Sequence, residues 1–250
     1  MELQVIASSS KGNAYILKGN DERILIECGV PMPDLKHATG FNLSFDACIL
    51  SHEHMDHAKN AKKLLDLGIH VYASPGTWKH LKIEHFAAKK ISHQEVLSTK
   101  EFEIMAFDVQ HDATEPLGFL IYHKPTGEKI LFATDTYYIK YKFTDLTQII
   151  IECNYSEEIL NRNIELGYIP GVVAKRTRKS HFELNDLVEF INANDIALVE
   201  NIVLIHLSDG NSNEKEFVST IKNTCELKGS EAKVTASDSN MIIDFNYSPF

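Results

Sequence analysis

The sequence predicts an α/β fold in which helices cover the outer faces of two β-sheets. Segments typical of buried strands alternate with amphipathic helical segments in both halves of the chain, a pattern of layered α/β folds. The chain has 250 residues, of which 44% are hydrophobic, so it can bury a two-sheet core. Because no stretch has the composition of a linker, we expect a single domain over residues 1–250.

The strands are predicted from short runs of apolar or alternating residues bounded by turn-forming residues. They are expected at about 2–7, 13–18, 23–27, 46–50, 70–73, 101–110, 117–123, 129–133, 148–152, 202–206 and 241–245.

The helices are predicted from apolar residues at helical spacing and from start and stop signals. Gly68 ends the first, Pro75 occupies the first turn of the second, and the third carries an apolar stripe with i, i+3, i+4, i+7 spacing. They are expected at about 58–67, 75–87, 184–194 and 213–225.

Composition favours a cytoplasmic protein without a membrane anchor. The beginning of the sequence has no basic region, and no apolar run reaches the length of a signal core or a membrane span. The cysteines form no CxxC pair, which fits a reducing compartment; they are Cys28, Cys48, Cys153 and Cys225.

The stretch 51–57, Ser-His-Glu-His-Met-Asp-His, directly follows the apolar strand segment 47–50. His52 and His54 point the same way from an extended chain, and a turn can bring Asp56 and His57 to a second position nearby. This layout suits two metal ions. Imidazoles favour zinc, and carboxylates extend the choice to manganese or iron. A solvated histidine-rich loop is the alternative, but it would not explain the ligand-type residues farther along the chain.

Three later strand segments also end at a ligand-type residue, namely His111, Asp135 and His206. Sites in open sheets collect at the carboxyl ends of strands, so these side chains are expected at one rim. We expect His52, His54 and His111 to bind one metal ion, Asp56, His57 and His206 to bind the other, and Asp135 to bridge them.

These residues resemble the metallo-β-lactamase superfamily, whose His-x-His-x-Asp-His signature matches residues 52–57. The other three ligands occur in the same order, and the resemblance covers almost the whole chain. It implies a four-layer αββα sandwich with a dinuclear metal site at one edge. It identifies the substrate much less specifically.

The segment Ser180-His181-Phe182-Glu183 resembles the phosphodiesterase branch of the superfamily, the tRNase Z type. The resemblance implies that His181 protonates the leaving oxygen or stabilises the transition state, with Glu152 orienting it. Phe182-Glu183 stands where that branch has hydroxyl residues. The alternative is that His181 caps the following helix.

Further motifs resemble the YycJ/WalJ-like group, which includes exonuclease-like proteins and phage anti-Pycsar enzymes that cleave cyclic mononucleotides. Glu27 departs from the aspartate usual there, and its longer side chain is expected to shift the metal geometry. Tyr137 and Tyr138 either face a nucleobase or pack in the core. The motifs are Ser8-Ser9-Ser10-Lys11-Gly12-Asn13, Cys28-Gly29, His111-Asp112-Ala113, Thr134-Asp135-Thr136 and His206-Leu207-Ser208.

Charge favours a small substrate over extended nucleic acid. A net charge of -10 opposes wrapping a long polyanion. The basic run 175–179 leads into His181 and can hold a phosphate, although a solvated loop is an equal alternative. We expect hydrolysis of a 3′,5′-cyclic mononucleotide, with a DNA or RNA exonuclease as the alternative. Ser10, Asn13 and Arg178 are the expected substrate contacts, and Asp56 accepts a proton while it binds metal.

Other classes fit less well. A thioester hydrolase would share the ligands but would not need His181, and β-lactamases usually lack the bridging Asp135. A non-catalytic binding module would be free to lose ligands. The remaining histidines are expected to be structural or surface residues: His37, His70, His80, His85, His93 and His123. The aromatic segment 245–250 either completes a neighbouring subunit's pocket in a homodimer or packs on an edge strand.

Overall fold

The structure, a computed structural model, describes residues 1–245 of the chain. These residues form two compact units. Unit 1 comprises residues 1–108, 113–128 and 238–245, and unit 2 comprises residues 109–112 and 129–237.

Seven strands form a mixed sheet within unit 1, in the order β14-β1-β2-β3-β4-β5-β6. β14, β1, β2 and β3 pair antiparallel, whereas β3, β4, β5 and β6 pair parallel. The strands are β1 Glu2–Ser9, β2 Gly12–Lys18, β3 Arg23–Ile26, β4 Ala47–Ile49, β5 Val71–Ala73, β6 Ala88–Lys90 and β14 Met241–Asp244.

The second sheet is also mixed and has the order β13-β12-β11-β10-β9-β8-β7. Its β7, β8 and β9 pair antiparallel, and β10 to β13 pair parallel. Every residue of β11 is buried, as expected for a parallel strand covered on both faces. The strands are β7 Val96–Ser98, β8 Phe102–Asp108, β9 Leu117–His123, β10 Glu128–Ala133, β11 Gln148–Glu152, β12 Asn201–Ile205 and β13 Lys233–Ala236.

Eight helices lie in the described residues, and their caps explain several boundaries. The Ser74 hydroxyl accepts the Thr77 amide at the start of α4, and the Glu183 carboxylate accepts the amides of Asn185 and Asp186 at the start of α7. The helices are α1 Met32–Ala38, α2 Met55–Ala58, α3 Ala61–Asp66, α4 Pro75–Leu81, α5 Glu157–Glu165, α6 Gly171–Thr177, α7 Leu184–Ala193 and α8 Glu214–Leu227.

The two mixed sheets with helices confirm the predicted α/β fold class, and several element predictions need correction. The helix predicted at 58–67 is split into α2 and α3, because the backbone amide of Asn60 donates to the carbonyl of Cys28 at 3.1 Å instead of to the carbonyl four residues earlier. The helix predicted at 75–87 ends at Leu81, because Lys82 adopts a left-handed conformation. The strands β6, β7 and β13 were not predicted, because each has only three or four residues and no clear alternating pattern.

Helices α1, α5 and α6 were not predicted either. α6 begins after Pro170 with glycine and two valines, which are poor helix formers. Helix propensity therefore gave no signal there.

Two predictions stay open. The single domain over residues 1–250 remains a prediction beside the two compact units. The proposed partner surface at residues 245–250 lies outside the described residues from Asn246 onward, so the homodimer also stays a prediction.

Candidate metal centre

The histidine motif of unit 1 begins directly after β4. His52 is buried, and its Nε2 lies 3.0 Å from Nδ1 of His54. The opposite nitrogen of the His52 ring, Nδ1, lies 2.8 Å from the Ser51 hydroxyl, which fixes the ring orientation. Two imidazole nitrogens therefore point to one place, an arrangement suited to binding a common metal ion.

Asp56 and His57 lie on the short helix α2, which packs directly against the backbone of Gly29. A Cβ atom on Gly29 would lie 1.6 Å from the carbonyl oxygen of Asp56, so only glycine fits there. The amide of Cys28 donates to the carbonyl of His57 at 2.7 Å. The motif is thus held by backbone contacts as well as by its own side chains.

Glu27 and Asn13 surround the His57 ring. Glu27 is fully buried with φ 61°, its Oε1 accepts the Ser51 amide at 3.0 Å, and its Oε2 lies 3.5 Å from His57 Nδ1. The Asn13 amide nitrogen lies 3.2 Å from His57 Nε2 and donates to the carbonyl of Ser9 at 3.0 Å. The longer carboxylate of Glu27 thus occupies the position expected for a residue that orients a metal ligand.

Glu53, between the two histidines, was not singled out in the sequence. Its buried carboxylate accepts the amide of Thr114 at 2.7 Å and the hydroxyl of the same residue at 2.6 Å. Burial raises the pKa of Glu53, but the hydrogen bonds from Thr114 outweigh burial and lower it. Glu53 therefore anchors the loop that carries His52 and His54. The only sequence signal was a carboxylate inside a histidine motif.

Asp135 and His206 in unit 2 follow β10 and β12, and both adopt left-handed conformations, with φ 41° and φ 54°. Such conformations cost about 1–3 kcal/mol each and cluster at functional sites. His206 Nδ1 lies 2.8 Å from Asp135 Oδ1 and 2.9 Å from Glu152 Oε1. Burial lowers the pKa of His206, but the two carboxylates outweigh it and raise it to about 10. Because Nδ1 donates to the two carboxylates, Nε2 is the nitrogen that would bind a metal ion, and the charged ring would first have to lose its Nε2 proton.

Glu152, at the end of β11, also holds His181. Its Oε1 accepts from His181 Nδ1 at 2.8 Å, while its Oε2 accepts the amides of Thr136 at 3.0 Å and Phe182 at 3.2 Å. Burial lowers the pKa of His181, but the charge of Glu152 outweighs it and raises the pKa. Since Glu183 is the cap of α7, the capping alternative for His181 is wrong. The ring is oriented by a carboxylate and favours the protonated form.

His111 is held in the opposite charge state. Its Nδ1 donates to the carbonyl of Ser180 at 2.7 Å, and its Nε2 lies 3.6 Å from Asp135 Oδ2. Burial lowers the pKa of His111 despite the nearby Asp135. The ring is therefore neutral with its proton on Nδ1, and Nε2 carries the lone pair that a metal ion needs.

The chemistry of these donors fits a divalent metal ion. Within unit 2, one ligand atom from each of Asp135, Glu152, His181 and His206 lies within 4.8 Å of the others. Imidazole nitrogens and carboxylate oxygens suit zinc, and they also suit manganese and iron. The clusters therefore support divalent metal binding without fixing the metal.

The expected substrate contacts have varied surroundings. Ser10 is exposed in the turn between β1 and β2, whereas Asn13 is buried beside His57. Arg178 binds the Glu157 carboxylate through Nε at 3.0 Å and Nη2 at 2.6 Å, and Arg176 pairs with Asp112. Substrate contact by Ser10, Asn13 and Arg178 stays a prediction.

The remaining histidines lie outside the ligand groups found within residues 1–245. His123 is fully buried beside Thr126, and burial lowers its pKa. His93 lies 3.0 Å from Asp108, and the ring of His37 contacts Phe41.

Among residues 1–245, no helix is both long and apolar enough to cross a membrane.

Comparisons with known proteins identify the family of the chain. A family model described as a β-lactamase superfamily domain matches residues 22–207. Exodeoxyribonuclease YycJ of Bacillus anthracis is 25% identical over 254 residues, which cover 92% of this chain and 90% of YycJ. Exodeoxyribonuclease WalJ of Streptococcus pneumoniae is 28% identical over 172 residues, which cover 62% of this chain and 63% of WalJ. The chain thus spans less than two thirds of the length of WalJ.

Solved structures show the same fold. The metallo-β-lactamase fold protein YhfI of Bacillus subtilis has a TM-score of 0.70 at 16% identity, covering 97% of this chain and 99% of YhfI. The short form of human tRNase Z has a TM-score of 0.61 at 15% identity, and the match covers 99% of this chain and 100% of the tRNase Z chain. These similarities confirm the resemblance to the metallo-β-lactamase fold, to YycJ and WalJ, and to tRNase Z-like folds.

Proposed function

Because the chain belongs to the β-lactamase superfamily and is a metal-dependent hydrolase, we propose that it hydrolyses phosphodiester bonds with two divalent metal ions. The observation that carries this proposal is the pair formed by His181 and Glu152. Their 2.8 Å hydrogen bond and the raised pKa of His181 provide an oriented acid for a poor leaving group.

The proposed ligand sets keep the assignment made from the sequence. His52, His54 and His111 would hold one ion, Asp56, His57 and His206 the other, and Asp135 would bridge them. When bound, such ions lower the pKa of a water molecule and stabilise negative charge on a phosphate group. The neutral state of His111 and the orientation of His206 by Glu152 support these roles. Zinc is the expected ion, with manganese or iron as alternatives.

The residues of the chain then divide the proton transfers. Asp56 would accept a proton on the side of the attacking water. Nδ1 of His181 is engaged by Glu152, so Nε2 would deliver a proton to the departing ribose oxygen. Glu152 is ionised, because the charge of His181 and the hydrogen bonds from His181 and His206 lower its pKa against the opposing effect of burial. It acts as a positioning residue.

We propose a 3′,5′-cyclic mononucleotide as the substrate and the linear monophosphate as the product, the reaction of anti-Pycsar enzymes. The net charge of -10 supports a small substrate. Two arginines of the basic run are engaged with Asp112 and Glu157, which weakens the case for a surface that follows a long polyanion. The four buried free cysteines support a reducing cytoplasm as the location.

A second candidate is an exodeoxyribonuclease, which the names of the two sequence relatives favour. The same acid and the same metal ligands would serve a DNA end. The two candidate functions share the same phosphodiester chemistry and differ only in which substrate the protein binds.

A side-by-side assay tests both candidates. Metal-loaded protein is incubated with cyclic mononucleotides, cyclic dinucleotides, linear DNA and RNA, with Asp135→Ala as the inactive control. We expect cyclic mononucleotides to be hydrolysed fastest. Efficient degradation of duplex DNA with cyclic mononucleotides untouched would replace the first candidate by the second, and no turnover of any phosphodiester would overturn both.

A further inference from the structure

A cavity of about 230 Å³ lies within unit 2, between the segment after Asp135 and helix α7. Nothing in the proposed reaction uses it. Its lining includes Tyr138, Phe182, Asp186, Glu189, Phe190 and Asn194.

Hydrogen bonds connect both walls of this cavity, the segment after Asp135 and the segment that leads into α7, to Glu152. The Glu152 carboxylate accepts the Thr136 amide, and the Thr136 hydroxyl donates to the carbonyl of Tyr138 at 2.9 Å. It also accepts the amide of Phe182, the residue after His181. The residue that orients the proposed acid therefore also fixes the two chain segments that form the cavity.

The cavity has an aromatic floor and an aromatic rim. The rings of Phe182 and Phe190 are buried and meet edge to face with centroids 6.2 Å apart. Tyr138 is 55% exposed, so core packing, one of the two interpretations of this residue, is wrong. Pockets for drug-sized ligands measure about 300–1,000 Å³, so this smaller space suits a single planar ring system.

The rim adds hydrogen-bond acceptors on one side. Asp186 and Glu189 lie one turn apart on α7, and burial together with the charges of Glu183 and Glu189 raises the pKa of Asp186. The two walls are joined at the end of α7, because the Asn194 side chain accepts the Phe143 amide at 2.7 Å and donates to the carbonyl of Phe190 at 2.8 Å. Carboxylates beside aromatic rings match a base that carries an exocyclic amino group.

We propose that this cavity binds the nucleobase of the substrate, with Tyr138 stacking on the base and Asp186 accepting from its amino group. The proposal rests on the proposed function, in that the substrate is a nucleotide. It applies to the base of a cyclic mononucleotide or to the terminal base of DNA, and the experiment has an arm for each.

The first test compares the kinetics of substrates that have a nucleobase with those of substrates that lack one. Tyr138→Ala should raise KM about tenfold or more for cyclic AMP, since removing a stacking ring costs about that much in binding. KM for a base-free 3′,5′-cyclic ribose phosphate should stay unchanged. Tyr138→Phe should behave like wild type, and Tyr168→Ala serves as the matched control because Tyr168 is an exposed tyrosine outside the cavity. The DNA arm compares ends with a normal and an abasic terminal nucleotide.

Calorimetric binding of free nucleosides tests the cavity without any turnover. Wild type should bind adenosine more tightly than inosine, which lacks the amino group, and Asp186→Asn should narrow that difference. Equal KM changes on base-containing and base-free substrates, or adenosine binding unaffected by Tyr138→Ala, would overturn the proposal. An enzyme that binds adenosine through Tyr138 yet cleaves no phosphodiester would instead overturn the proposed function alone.

Discussion

The two units supply ligand-type residues in different ways. In unit 1 they come from one stretch, residues 52–57, which backbone contacts hold against Gly29 and Cys28. In unit 2 they follow separate strands, and the side chain of Glu152 joins His181 and His206. The ligand-type residues of unit 1 are thus positioned by the backbone around their motif, whereas His181 and His206 of unit 2 are positioned by one shared side chain, that of Glu152. Substituting a residue that supports the ligands should therefore reduce metal affinity more in unit 2 than in unit 1.

The largest effect is expected for Asp135→Ala, because Asp135 is the proposed bridging ligand. Loss of a metal site removes several kcal/mol of charge stabilisation, so turnover should fall by about 10³-fold or more. Steady-state kinetics with elemental analysis provide the check. The fold should survive, as judged by circular dichroism. Turnover and metal content both equal to those of wild type would contradict the assignment.

The next largest effect is expected for His181→Ala. Loss of a general acid lowers kcat by about 10²–10⁴-fold. The defect should shrink for bis(p-nitrophenyl) phosphate, whose leaving group departs without a proton. Metal content should stay unchanged. Loss of bound metal in this variant would make His181 a ligand instead.

The pH profile gives a separate check on His181. Burial lowers the pKa of His181, but Glu152 raises it overall, so the ring is protonated below the raised pKa and loses its proton as the pH rises through it. An acid must be protonated to act, so kcat should fall on the alkaline side. This alkaline limb should be missing in His181→Ala, and a limb that persists in the variant would assign it to another group.

Glu152→Gln should have a smaller effect than His181→Ala on kcat but should also weaken metal binding. Partners that orient metal ligands typically contribute 10–100-fold in metal affinity. Calorimetric titration of the metal-free variant measures this change. Because Glu152 contacts both His181 and His206, the variant should lose affinity and the raised pKa of His181 together. An unchanged affinity would show that Glu152 does not support His206.

The smallest effect is expected for Glu53→Ala in unit 1. Its carboxylate bonds Thr114 and anchors the loop between His52 and His54, and we expect about a tenfold loss of metal affinity. Thr114→Val removes one of the two donors and provides the matched partner. If the two residues act through their contact, the double variant should lose less than the sum of the single losses in binding free energy. If Glu53→Ala loses more metal affinity than Glu152→Gln, supporting residues matter more in unit 1 than in unit 2, contrary to our expectation.

The sequence predicted the strands that end at ligand-type residues, because buried strands and metal ligands leave strong patterns. It could not predict the left-handed conformations of Glu27, Asp135 and His206, since nothing in these residue types demands positive φ. Glu53 escaped notice because its role depends on Thr114, far away in the sequence. The engagement of Arg178 by Glu157 was missed for the same reason: long-range pairing of charges has no local pattern.

The most direct test of the central claim is a titration of metal-free protein with zinc or manganese while turnover of bis(p-nitrophenyl) phosphate is followed. We expect no turnover without metal and a rise that levels off at about two ions per chain. Full turnover in metal-free protein, or no turnover at any metal loading, would contradict a two-metal hydrolase.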